Sequence, residues 1–188
     1  EGTERGEWPV YHGNLAQQHY SPLEQITADN FDDLEVAWTF KTDNLGTRPE
    51  FKLVGTPLMV GGRLYASGGS RRSVVALDAA TGELLWVHSE REGARGAASP
   101  RQLSGRGVAY WSDGAEPAPA RIFYITPGFR LVALDAATGQ RVQEFGDNGW
   151  IDLNSAAVYG DELPIDPVTG ELGLHATPTV ARDIVMVG

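Results

Sequence analysis

The sequence has 188 residues, of which 41% are hydrophobic and 21% are charged, proportions that are typical of a globular protein with a sizeable core. A formal net charge of −10 at pH 7 argues against binding to nucleic acid or anionic membranes, which need a basic surface. The absence of cysteine excludes disulfides, thiolate metal sites and cysteine nucleophiles. The adjacent Arg71 and Arg72 are interpreted as a solvated turn.

Short strands separated by turns are predicted along most of the chain. A helical turn or two is expected only within residues 22–34. The predicted strands are rich in β-branched and aromatic residues, and glycine and proline fall mostly between them. In chain order they cover residues 34–40, 57–60, 63–67, 73–78, 83–89, 107–111, 121–126, 130–135 and 179–188. The pattern predicts an all-β fold.

Two segments of the chain are nearly identical. "VVALDAATGELLW" at residues 74–86 returns as "LVALDAATGQRVQ" at residues 131–143, an offset of 57 residues. Self-similarity at a period of tens of residues is typical of a repeat architecture, in which each unit buries its faces against its neighbours. The short strands around the two copies favour four-stranded antiparallel blades stacked about an axis, as in a β-propeller.

The repeated turn has a chemical explanation. The Asp78 carboxylate accepts hydrogen bonds from N–H groups of the turn with help from Thr81, and Gly82 takes the positive φ that reverses the chain. Asp135, Thr138 and Gly139 repeat these roles in the second copy. The same spacing at residues 166–170 lacks an apolar strand before it, and a surface hairpin in an inserted loop is predicted there.

A large aromatic side chain at a fixed place in each unit can fill the contact between neighbouring blades. Trp86 closes the first copy, and we predict that Trp86 and Trp38 are packing residues. In the second copy Gln143 stands where Trp86 stood, and Phe145 could supply the missing bulk on the same face.

Several motifs of the chain resemble those of a known protein family. The "DAATGELLW" unit is similar to the tryptophan-docking motif of the quinoprotein dehydrogenases, β-propellers that bind pyrroloquinoline quinone (PQQ). The segment that precedes the first predicted strand contains "YSPLEQI", which resembles the start of that family's domain. "GTPLMVGGRLYASG" at 55–68 and "GRGVAYW" at 105–111 continue the resemblance in the expected order, so that it runs from about Trp8 to Gly188.

The resemblance implies a propeller of about eight blades, of which this chain would hold roughly the first three. Residues 1–188 would then be the incomplete N-terminal portion of one propeller domain. Its expected parts are a lead-in segment at 8–38, two repeat-bearing blades at 55–145, and an inserted loop with the start of the next blade at 146–188. Because three blades would expose apolar faces and open edges, the chain alone is expected to be unstable and inactive.

Within the family, "FGDNGWIDL" at 145–153 is most similar to the membrane-bound glucose and quinate dehydrogenase branch. The methanol dehydrogenase branch carries a disulfide between adjacent cysteines at the positions held here by Pro100 and Arg101. The resemblance therefore favours a sugar or polyol substrate.

The resemblance assigns cofactor-binding roles to two residues. Arg106 matches the family arginine that reaches the quinone oxygens and carboxylates of PQQ, and a guanidinium is a fixed, always-charged donor. His175 falls where some members place a threonine that binds a PQQ carboxylate. Val54 is a departure, because the family usually has a glutamate there that contacts the cofactor.

The implied activity is oxidation of an alcohol or aldose with hydride transfer to the quinone and assistance from calcium. In the family the calcium ligands and the catalytic base come from later blades, so no catalytic residue and no metal ligand is assigned within residues 1–188. The implied electron acceptor is ubiquinone or a cytochrome, and the implied location is the periplasm or the periplasmic side of a membrane. The alternative is a non-enzymatic propeller that binds partner proteins, a lineage not expected to carry "YSPLEQI" or Arg106.

Overall fold

The computed structural model describes residues 2–48, 50–103, 105, 107–114, 119–156, 165–170, 172–174 and 176–188. These residues form two four-stranded antiparallel sheets and one hairpin. The first sheet contains β1 (Leu58–Val60), β2 (Arg63–Gly68), β3 (Ser73–Asp78) and β4 (Leu84–His88). The second contains β5 (Ala109–Ser112), β6 (Ala120–Ile125), β7 (Arg130–Asp135) and β8 (Trp150–Asp152).

The third sheet is the hairpin of β9 (Thr179–Ala181) and β10 (Ile184–Met186). Helical structure in the described ranges is short: α1 (Gly93–Ala98), α2 (Leu153–Ala156) and 3-10 turns at Glu4–Gly6 and Phe31–Asp33. No helix among these residues is long and apolar enough to cross a membrane. The predicted all-β class with four-stranded antiparallel blades is confirmed.

The second sheet is buried on both faces because its strands alternate between two cores. Side chains such as Ile122 and Val132 pack against the first sheet, in a cluster that includes Val74. Their neighbours in the strands, such as Phe123, form a second cluster with Val180 and other residues of the β9–β10 hairpin. This arrangement of stacked sheets is the propeller-like packing that the repeat predicts.

The two copies of the repeat build the same turn. In the first, the Asp78 Oδ1 atom accepts hydrogen bonds from the N–H groups of Ala80 (3.0 Å) and Thr81 (2.8 Å), and from the Thr81 hydroxyl (2.9 Å). In the second, Asp135 Oδ1 makes the equivalent bonds at 3.1, 2.8 and 2.8 Å. Gly82 and Gly139 have φ values of +73° and +71°, as the turn requires.

Each turn receives a tryptophan. The indole N–H of Trp86 donates to the carbonyl of Ala136 at 3.1 Å, and that of Trp38 donates to the carbonyl of Ala79 at 3.2 Å. Trp86 is 9% exposed, which confirms its packing role between the sheets. Trp38 is only half-buried, because no strand among the described residues pairs with residues 34–40.

One strand prediction is wrong, and the second copy of the repeat differs from the first. Residues 34–40 are extended but have no ladder, so the strand expected there is absent. In the second copy the returning chain makes only one bridge, Leu134 to Arg141, and the fourth strand of the sheet is instead β8. Phe145 nevertheless packs beside Phe123, with ring centroids 5.4 Å apart, and thus supplies the bulk that Gln143 lacks.

Candidate functional site

The candidate site lies where the segments leading into the first strand of each sheet meet. Thr56 precedes β1, Gly107 precedes β5 and Thr177 precedes β9. A Cβ atom built on Gly107 would lie 3.3 Å from the Thr56 carbonyl oxygen and 3.8 Å from the Thr177 Oγ1 atom. Gly107 also has a φ of +132°, a conformation that strongly favours glycine, and its contacts leave little room for a side chain.

A small cavity of about 10 Å³ lies beside this junction. Three hydrogen-bonding groups on its wall are buried without a partner: Ser67 Oγ, Arg72 Nε and Tyr124 OH. The Thr177 Oγ1 atom is also buried and unpaired. Burial without a partner costs free energy, so four such groups around one junction indicate a place where polar contacts remain to be made.

Arg72 is the most deeply buried cation of the site. It is 3% exposed, so the interpretation of Arg71 and Arg72 as a solvated turn is wrong for Arg72, whereas Arg71 is exposed. Burial lowers the pKa of Arg72 to about 10, although the charges of Glu92 and Glu50 oppose that shift. The group therefore keeps its positive charge at neutral pH.

Tyr124 remains a neutral hydrogen-bond donor. Its side chain is fully buried, and burial, followed by the negative charge of Glu90 and Glu92, raises its pKa well above the ordinary value. The phenol therefore does not act as a base near neutral pH.

A second polar network holds the turn between β6 and β7 next to the site. The Glu92 carboxylate accepts from the Thr126 hydroxyl and the Gly128 N–H, each at 2.7 Å. Arg95 forms a bidentate pair with Asp152 at 2.6 and 2.7 Å, which lowers the pKa of Asp152 and raises that of Arg95. Since these groups satisfy one another, this network is structural.

The two residues predicted to bind the cofactor, Arg106 and His175, lie outside the described residues, so their roles stay predictions. Their chain neighbours Gly105, Gly107 and Ala176 line the small cavity. The structure thus brings the segments that carry both residues to one place. Val54 is 41% exposed and offers no polar side-chain atom.

Sequence reasoning missed Ser67, Arg72, Tyr124 and Thr177. Arg72 stands in a turn directly before β3, and no periodic pattern of the sequence marks it as buried. No signal marks the other three either, since hydroxyl groups in buried segments usually find partners.

The described residues contain no group of three or more His, Cys, Asp or Glu side chains that could hold a metal ion.

Comparisons with known proteins bear on this site. Residues 8–188 match the family described as "PQQ: Glucose/ethanol/alcohol dehydrogenase, beta-propeller domain". The glycerol dehydrogenase large subunit of Gluconobacter oxydans (strain 621H) is 31% identical over 97% of this chain and 24% of its own length. Quinoprotein glucose dehydrogenase A of Acinetobacter calcoaceticus is 27% identical over 97% of this chain and 25% of its own.

A solved structure agrees with these relatives. The quinohemoprotein alcohol dehydrogenase from Comamonas testosteroni superposes with a TM-score of 0.73 and 28% identity, over 97% of this chain and 23% of that one. This chain therefore spans about a quarter of the length of the proteins that it matches. The match over residues 8–188, together with the repeated turns and docked tryptophans, shows that the chain belongs to the β-propeller family of PQQ-dependent glucose, ethanol and alcohol dehydrogenases.

Proposed function

We propose that the protein containing this chain oxidises a hydroxyl group of an alcohol or aldose, with PQQ as its cofactor and calcium as an assisting ion. The observation that carries the proposal is the family match over residues 8–188. Because the chain covers about a quarter of its relatives, the proposal concerns the longer protein of which it would form a part.

PQQ is rich in acceptors, because its carboxylates and quinone oxygens need hydrogen-bond donors, and the junction is rich in donors. Arg72 Nε is a buried, unpaired donor beside the small cavity, and the hydroxyls of Ser67 and Thr177 lack partners nearby. At about 10 Å³ the cavity is too small for the cofactor. These groups therefore support the segments around the cofactor, and contact with it is proposed for Arg106 and His175.

Bound PQQ would supply an acceptor for the substrate hydride, and calcium would supply a Lewis acid beside it. In the proposal, Arg106 donates to a quinone oxygen or carboxylate and stabilises negative charge there. His175 donates to a carboxylate of the cofactor. Gly107 leaves the space between Thr56 and Thr177 free of a side chain, which keeps the lead-in segments close together. The catalytic base and the calcium ligands are expected beyond these residues.

For the substrate we propose a polyhydroxylated molecule, an aldose or a polyol. Two observations support this class: the "FGDNGWIDL" segment at 145–153, and relatives that are named glycerol dehydrogenase and glucose dehydrogenase. The segment forms β8 and the turn before it, and it closes the second sheet.

The remaining proposals concern the setting of the enzyme. By analogy with the family, electrons would pass to ubiquinone or a cytochrome, at the periplasmic side of a membrane. We also propose that residues 8–38 form the lead-in segment and residues 55–145 most of two repeat-bearing blades, the second of which is closed by β8. The rest of residues 146–188 would then hold an inserted loop and the start of the next blade.

The test is dye-linked oxidation of glucose, glycerol and ethanol by the full-length protein, with and without added PQQ and calcium. We expect activity only with PQQ, and Arg106→Ala to lose about 2–4 kcal/mol of transition-state stabilisation. Arg106→Lys keeps the charge but loses the planar fork, so it should retain cofactor binding with a lower maximal rate. Activity that does not depend on PQQ would refute the proposal, and an unchanged rate in Arg106→Ala would remove that residue from it.

A further inference from the structure

The Arg72 side chain joins the segments that carry the two predicted cofactor-binding residues. Its Nη1 atom donates to the carbonyl of Leu174 at 2.8 Å, and Leu174 immediately precedes His175. Its Nη2 atom donates to the carbonyl of Arg101, in the segment that leads to Arg106. We propose that Arg72 is a positioning residue of the cofactor site, an inference that rests on the proposed function.

The same guanidinium anchors both segments to the second sheet. Nη1 also lies 3.3 Å from the carbonyl oxygen of Ile125, the last residue of β6, and 3.5 Å from that of Thr126. The Arg72 side chain also supports Gly105, since a Cβ on Gly105 would lie 3.1 Å from the Cγ and Cδ atoms of Arg72. One rigid group thus fixes two loops relative to a buried strand.

The chemistry of the contacts requires arginine. The partners named above are carbonyl oxygens that approach from different segments, and a planar fork of five N–H donors can satisfy them together, whereas an ammonium cannot match that geometry. No carboxylate of the described residues forms an ion pair with Arg72. The charges of Glu92 and Glu50 favour the charged guanidinium, but neither forms an ion pair with it. Because burying a charge that has no ion-pair partner is costly, a purely stabilising role would be served better by an apolar side chain.

The orientation of the fork is set by its surroundings. Arg72 follows a turn in which its N–H donates to the Gly69 carbonyl at 3.1 Å, and its backbone has a φ of +50°. Its Nε atom is buried without a partner, and Arg72 lines, with Ser67 and Tyr124, a cavity whose size and polarity suit one water molecule. Because both the backbone and the guanidinium of Arg72 are held by hydrogen bonds, the side chain has little conformational freedom, as a positioning role requires.

Arg95 provides a matched control. It also donates to backbone carbonyls beside β6, those of Gly128 and Phe129, and it pairs with Asp152. None of these partners adjoins Arg106 or His175 in the sequence. Replacing Arg95 by lysine should therefore destabilise the same region without moving the segments of the cofactor site.

The experiment measures the Kd of PQQ for the full-length apoprotein, by quenching of tryptophan fluorescence, beside its urea unfolding midpoint. We expect Arg72→Lys and Arg72→Gln to raise the Kd by about tenfold. Arg95→Lys should lower the unfolding midpoint at least as much as Arg72→Lys does, and leave the Kd within about twofold. If Arg72→Gln does not fold, the Kd of Arg72→Lys, which keeps the charge, tests the proposal.

The outcomes separate this inference from the proposed function. A wild-type Kd in Arg72→Lys, or an equal loss of affinity in Arg95→Lys, would overturn the positioning role while PQQ binding by the wild type stands. A wild-type apoprotein that does not bind PQQ would overturn the proposed function, and the inference with it.

Discussion

At the scale of single residues, the repeated turn depends on two glycines that have no room for a side chain. A Cβ on Gly139 would lie 2.5 Å from a ring carbon of Trp86, and a Cβ on Gly82 would lie equally close to Trp38. Positive φ and a docked tryptophan therefore impose glycine for two separate reasons. Gly62 provides a control for the first reason alone, because its φ is +76° but nothing lies within 4 Å of the position that a Cβ atom would take.

We expect Gly62→Ala to lower the free energy of unfolding by about 1–2 kcal/mol, because a residue with a side chain is strained in a left-handed conformation. Gly139→Ala should cost about 1–3 kcal/mol more, because the new methyl group also displaces Trp86. Urea unfolding of the full-length protein measures both. Equal losses in the two variants would mean that Trp86 is not docked on the turn.

Removing the docked ring itself should be more costly. Trp86→Ala is expected to lose about 3–5 kcal/mol of unfolding free energy, because it leaves a cavity between two sheets and removes one of the two hydrogen bonds that the Ala136 carbonyl accepts, the other coming from the Tyr65 hydroxyl. The control is Leu85→Ala, next to it on β4, which is 44% exposed and should lose less than about 1 kcal/mol. A loss below about 1 kcal/mol for Trp86→Ala would contradict its burial.

Local chemistry explains which residues could be predicted. The roles of Asp78, Thr81 and Gly82 depend on contacts within a few positions along the chain, and the second copy of the repeat has the same residues. The turn could therefore be predicted from the sequence alone. The role of Arg72 depends on carbonyls between 29 and 102 positions away. No local pattern encodes such partners, and the paired arginines resembled an ordinary polar turn.

At the scale of elements, β3 and β7 have the bounds that the sequence predicts, because both are buried on two faces and read as continuous apolar runs. Residues 34–40 are also rich in β-branched and aromatic residues, but they have no partner strand among the described residues, and a strand needs backbone pairing as well as propensity. The helix α1 was missed because its six residues are too few to show a helical period.

An ion pair between the two sheets makes the stability of the folded state depend on pH. The Glu90 carboxylate lies 2.9 Å from the His88 Nε2 atom and 3.0 Å from the Arg141 Nε atom. The hydrogen bond from His88, and then the charge of Arg141, lower the pKa of Glu90. A lowered pKa stabilises the folded state above the unfolded value of about 4.3, and the contribution is lost as the pH falls through the folded value.

We therefore expect Glu90→Gln to be less stable than the wild type at pH 7, and to lose less stability between about pH 5 and pH 3. Unfolding midpoints in urea across that range measure the difference. Glu144→Gln, at an exposed position beyond Arg141, should follow the wild-type curve. Parallel curves for Glu90→Gln and the wild type would show that this carboxylate does not link the sheets.

At the scale of the whole molecule, the chain leaves apolar surface uncovered on its outer elements. Val36, Phe51 and Ile184 are 83%, 78% and 64% exposed, and Leu84 and Val87 of β4 are also exposed. Stacked units need neighbours on both sides.

Residues 1–188 expressed alone should therefore self-associate, and should not oxidise sugars when PQQ and calcium are supplied. Light scattering and a dye-linked assay test this directly. A monomer with one cooperative unfolding transition would contradict it.

The central claim is that the longer protein passes hydride from a hydroxylated substrate to PQQ. It is tested most directly by the absorption spectrum of the PQQ-loaded full-length protein when glucose, glycerol or ethanol is added without oxygen or an electron acceptor. We predict that the bound quinone is reduced in a single turnover, with one equivalent of substrate consumed per cofactor. A cofactor spectrum that stays unchanged with all three substrates would contradict the account.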